Sequence, residues 1–157
     1  AERAALRGRG RGALGDACRG RAGLPRVEAD VSDVDPFEYR PPTEATAPKY
    51  DAIRRAEADA FGALHGVLST PPRARDKAAA YAVITQACRA FYDAIREHAP
   101  ASADRSAAER CVRLARMAAN EAVAQDHTHE SRQARIAIDQ LVMARWQACA
   151  AIALGTP

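Results

Sequence analysis

The sequence predicts an all-α protein: an up-down-up-down four-helix bundle preceded by an extended, proline-rich N-terminal arm. Three observations predict it. Pro25, Pro36, Pro41, Pro42 and Pro48 crowd residues 25–48 and favour extended or polyproline II backbone there. From Tyr50 onward apolar residues recur at helical spacing. The breaks between these periodic stretches are short, so consecutive helices must be antiparallel neighbours. The reading divides the chain into an arm, 1–47, and a bundle, 48–157.

A chain of 157 residues is one ordinary domain and can bury a core without disulfides or metals. Apolar residues make up 48% but aromatics only 5%, and Ala supplies most of the apolar share. An Ala-rich core buries little area per residue, which predicts modest stability supplemented by a partner.

Charge is polarised at one end. Residues 1–26 carry seven Arg against Glu2 and Asp16, and residues 27–47 carry six acids against Arg40. Lys49 and Lys77 are the only lysines among 23 basic residues. GC-rich coding bias explains that preference, and bidentate binding of phosphate or carboxylate is the sharper reading. Residues 1–24 mix Gly and Arg without periodicity and should be extended unless a partner orders them.

The first helix should start near Pro48, a good first-turn residue, with Thr46 or Ala47 as cap. Tyr50, Ile53, Ala60, Phe61, Leu64 and Leu68 form its apolar face. Gly66 and the run Ser69-Thr70-Pro71-Pro72 end it. The second helix should span about Arg73 to His98. Tyr81, Ile84, Cys88, Phe91 and Ile95 give it a bundle seam, and Pro100 stops it.

Ser102 offers a cap for the third helix, and Ser106 with Glu109 has capping-box spacing for a later start. Cys111, Leu114, Ala118 and Ala122 form its stripe. No Gly or Pro occurs between Ala101 and Leu154, so one long helix is conceivable. A break is favoured because the stripe lapses over 124–133. The polar run 125–131 is then a turn, with Thr128 capping the fourth helix. Ile138, Leu141, Val142, Trp146, Cys149 and Ile152 line that helix, and the Trp146 neighbourhood reads as core. Its apolar run is interrupted by Asp139, Gln140, Arg145 and Gln147, so it is no membrane span. The chain starts at Ala1 without Met, which fits either removal of a targeting peptide or a trimmed chain.

Few motifs carry chemistry. His127 and His129, beside Asp126 and Glu130, could suggest a metal site. At that spacing the imidazoles diverge on strand or helix, so a solvated loop is the better reading. His65 and His98 are isolated near helix ends and read as partly exposed. Cys18, Cys88, Cys111 and Cys149 lack CxxC spacing. Cys88 and Cys111 fall at one level of a hairpin turning at Pro100, so a disulfide between them is conceivable beside the plainer reading of buried free thiols. No phosphate loop, dinucleotide fingerprint, nucleophile elbow or zincin motif occurs. The sequence nominates no catalytic residue, metal or cofactor. Arg7, Arg9 and Arg11 could contact phosphates or an acidic protein surface. Phe37 and Tyr39, stiffened by neighbouring prolines, are poor solvent residues. With Arg40, Pro41 and Pro42 they are candidate partner contacts.

The stretch Phe37-Glu38-Tyr39-Arg40-Pro41-Pro42-Thr43-Glu44-Ala45 resembles the segment ahead of helix 1 in the extrinsic PsbQ subunits of photosystem II. That family carries an aromatic pair followed by the run matched here by Pro41 to Ala45. The layout of a long proline-rich arm and a four-helix bundle is similar, and Tyr92 and Asp93 fall where the family has a Tyr-Asp pair. The resemblance implies a non-enzymatic protein of the chloroplast thylakoid lumen. Such a protein docks on photosystem II and helps it retain the calcium and chloride used in water oxidation. Two other readings are an RNA-associated helical protein, such as a ribosomal subunit with an Arg-rich extension, and a scaffold or virion bundle protein.

Overall fold

The computed structural model describes residues 41–155. Among them are four α-helices, a single 3₁₀ turn and no strand: α1 (Ala47–Ser69), α2 (Lys77–His98), α3 (Ala103–Ala124) and α4 (Arg132–Leu154), with the 3₁₀ turn at Pro72–Ala74. The expected four-helix architecture is present. Each helix packs on its two neighbours around a ring, α1 against α2 and α4, and α3 against α2 and α4. The short connections make neighbouring helices antiparallel, and one contact marks the level of each of three interfaces. Tyr92 meets Glu109, Cys111 meets Gln147 and Arg145 meets Glu57, each pair at matching heights of oppositely running helices.

Helix entries follow local chemistry, with three departures from the sequence reading. Thr46 precedes α1, but its side chain caps nothing forward. Thr43 N–H instead donates to Thr46 Oγ1 at 2.8 Å, and Thr46 N–H to Thr43 Oγ1 at 3.3 Å, a reciprocal turn that launches the helix. The second helix starts at Lys77 rather than Arg73, because Asp76 Oδ1 accepts from Ala78 N–H and Ala79 N–H. Ser131, not Thr128, caps α4 by accepting from Ala134 N–H at 3.2 Å. Ser102 caps α3 through Arg105 N–H, which leaves Ser106 in the first turn, bonded back to Ser102 O.

The break between α3 and α4 is made without Gly or Pro. Asp126 adopts φ 57°, the left-handed conformation. His127 N–H donates to Ala122 O at 2.8 Å and Asp126 N–H to Val123 O at 3.2 Å, which together form a Schellman closure. Lys77 of α2 then holds the turn, with Nζ 2.9 Å from Asp126 Oδ1 and 3.1 Å from Ala124 O.

The core is asymmetric. Large buried side chains come mainly from α1 and α2: Ile53, Leu64 and Leu68 face Ile84, Phe91 and Ile95. Helices α3 and α4 bury chiefly alanines, including Ala108, Ala115 and Ala119 opposite Ala137, Ala144 and Ala148. Alanine faces let these two helices approach closely, and the bulk on α1 and α2 fills the space that remains. At the end of the bundle, Gly155 sits against the Pro100 ring, where a Cβ would collide. This contact seats the end of α4 on the α2–α3 turn.

Candidate functional site

The alanine core turns larger apolar residues outward. Trp146 is 64% exposed and Met117 61%, and Leu114, Ile136, Met143 and Leu154 are also exposed. The sequence reading placed Trp146 and Leu114 in the core, and the structure corrects both. It also corrects Phe61, which lies on the surface stacked over His65 with ring centroids 6.0 Å apart. Cys111, Ala118, Ile138 and Cys149 are only partly buried and pack against the core edge. Ala122, Leu141 and Ile152 are buried as expected.

Leu114, Met117 and Ala118 of α3 share a groove with Ile136 of α4, closed by the polar side chains of Glu121, Arg132 and Gln140. Along α4 the apolar row continues through Met143, Trp146 and Leu154. At about 100° per residue, these four α4 positions fall within roughly 80° of arc. Arg145 lies against the Trp146 ring, 5.5 Å from its centroid, and holds the indole in place without covering it.

The polar run 125–131 is a largely exposed turn, as expected, and it is tied to the α1–α2 connection. His129 N–H donates to Leu68 O at 3.1 Å. Arg75 Nη2 donates to Leu68 O, Thr70 O and His127 O at 3.2, 2.8 and 3.0 Å, joining the α1–α2 connection to this turn. The two imidazoles diverge, as their spacing requires. His127 is half-buried, whereas His129 is exposed with its ring 5.5 Å from that of His65. The His65–His129 meeting joins residues sixty-four apart and had no local signal in the sequence. Among the described residues, no group of three or more His, Cys, Asp or Glu is arranged to hold a metal ion.

Cys88 and Cys111 are free thiols, as is Cys149. Cys111 Sγ turns to α4 and donates to Gln147 Oε1 at 3.3 Å, away from Cys88 in the core. Their side chains face different neighbours. Burial raises all three thiols above their ordinary pKa, Cys88 to about 11.

Of the candidate partner contacts, Pro41 and Pro42 are exposed at the entrance to α1. Phe37, Tyr39, Arg40, Arg7, Arg9 and Arg11 lie outside the described residues. No described helix is long and apolar enough to cross a membrane. No family model, no curated protein and no solved structure matches this chain.

Proposed function

We propose that the chain is a non-enzymatic accessory subunit that docks on a larger protein assembly through the outer face of α3 and α4. The observation that carries the reading is the row Ile136, Met143, Trp146 and Leu154 beside Leu114 and Met117. Large apolar side chains gathered on one face mark an interaction surface, and aromatic and Met residues are the types enriched there. The resemblance of residues 37–45 to extrinsic PsbQ-type subunits supplies the candidate assembly, the lumenal side of photosystem II. The four-helix bundle and the charged arm are compatible with it. On this reading the basic residues 1–26 add an attraction that salt screens over about 8 Å at physiological ionic strength.

Trp146 is the sole tryptophan, so it reports on its own face. The test is rebinding of the full chain to salt-washed photosystem II membranes, followed by Trp146 fluorescence and oxygen evolution. Binding should shift the emission to the blue, restore part of the lost oxygen evolution and be reversed by moderate salt. Trp146→Ala and Met143→Ala should weaken it. Binding without a shift, or unaffected by these substitutions, refutes the docking face. Dimerisation through Trp146 without added partner would replace the assembly by a second copy of the chain.

A further inference from the structure

A separate surface lies between α2 and α3. Arg89 and Arg96 of α2, with Arg113 and Arg116 of α3, border an open groove of about 400 Å³ whose floor includes Cys88 and Val112. Helix geometry sets this arrangement. Arg89 and Arg96 are seven residues apart and so lie on one side of α2, about 10.5 Å apart along the axis. Arg113 and Arg116 are neighbours on one side of α3. The antiparallel register fixed by Tyr92 and Glu109 sets Arg113 level with Cys88, close to the height of Arg89. Three guanidinium groups therefore border one end of the groove, and Arg96 borders the other.

The carboxylates nearby engage Arg89 and approach Arg96 but leave Arg113 and Arg116 uncompensated. Asp93 engages Arg89 with contacts of 3.0 and 3.2 Å. Glu109 accepts from Tyr92 at 3.0 Å and lies 3.6 Å from Arg105, with Arg96 more distant at 3.9 Å. Arg113 and Arg116 have no hydrogen bond or ion pair among the described residues. They stand three apart on one helix, a spacing at which like charges repel. The floor adds no competing anion. Val112 is apolar, and Cys88, with its thiol pKa near 11, stays neutral at physiological pH.

We infer that this α2–α3 groove binds a small phosphorylated anion carrying at least two negative charges, held chiefly by Arg113 and Arg116 and reached by Arg96 from the far end. A single carboxylate would satisfy one guanidinium fork, whereas phosphoryl groups present several oxygens to several forks together. The groove is large enough for a ligand of nucleotide size. Its recognition is independent of the α3–α4 docking face.

The test uses calorimetry of the full chain with tripolyphosphate at physiological salt. The double variant Arg113→Ala, Arg116→Ala should bind roughly tenfold more weakly or worse, since hydrogen bonds to charged groups are among the stronger ones. Its circular dichroism should match the parent, because both side chains are exposed. Arg55→Ala on α1 should leave affinity within about twofold. Substituting Arg7, Arg9 and Arg11 by Ala separates the tail from the groove and should likewise leave affinity within about twofold. Absence of tripolyphosphate binding overturns the site. So does binding that disappears with the tail substitutions and survives the groove substitutions. Tight binding of a short single-stranded RNA with none of tripolyphosphate also overturns it, in favour of RNA association.

Discussion

Arg145 Nε of α4 lies 2.9 Å from Glu57 Oε2 of α1, joining the first and last helices. Burial raises the Glu57 pKa above its ordinary 4.5, and Arg145 opposes the rise only in part. The folded protein therefore holds this proton more tightly than the unfolded chain. Stability from this group is greatest at low pH and declines as pH rises through the window above 4.5. Melting the parent and Glu57→Gln side by side from neutral to acid pH should show the parent gaining on the variant as pH falls. A Tm difference that ignores pH would contradict the shift.

Asp126 carries the left-handed turn that separates α3 from α4. Asp126→Val should cost about 1–2 kcal/mol, the usual penalty for a bulky residue in that conformation. Asp126→Gly should be near neutral, because relief at the backbone offsets loss of an exposed ion pair with Lys77 that contributes at most about 1 kcal/mol. Urea denaturation measures both. Equal destabilisation by Val and Gly would show that the ion pair, not the backbone, holds the break.

The alanine interface predicts a reversal of the usual size rule. Ala144→Leu or Ala115→Leu should overpack the α3–α4 contact and cost about 1–3 kcal/mol. Leu114→Ala and Met117→Ala, which remove larger apolar groups, should each change stability by less than about 0.5 kcal/mol. Thermal melts of the four variants compare them. Stability lost at Leu114 but not at Ala115 would put the opposite face of α3 in the core.

Cys88 has a thiol pKa of about 11 and is buried, so it should label slowly at mildly alkaline pH in the native protein. After denaturation without reductant, Cys88, Cys111 and Cys149 should all react as free thiols. Thiol counting with and without reductant checks this. Two thiols that appear only after reduction, mapped by peptide analysis to Cys88 and Cys111, would show that these two approach closely enough to bond.

The helices themselves were legible in the sequence. Their apolar period, Pro48 in the first turn of α1, Ser102 at the entry to α3 and Pro100 after α2 are local signals, and local backbone chemistry acts on them directly. The seam of α2 was legible too, because Ile84, Cys88, Phe91 and Ile95 make its largest apolar face also its buried one. Tertiary structure decided the rest. Periodicity ranks faces by hydrophobicity, which on α3 and α4 selects Leu114 and Trp146. Packing ranks them by how closely two backbones can approach, which selects alanine and leaves those larger side chains outside. The α3–α4 break was legible as the lapse of the apolar stripe over 124–133, but its form was not: a left-handed Asp126 tied to Lys77, and His127 O bound by Arg75. The α2–α3 groove exists only because the antiparallel register brings Arg89 level with Arg113. In each case the deciding contact joins side chains far apart in the chain, and only the packed bundle brings them within reach.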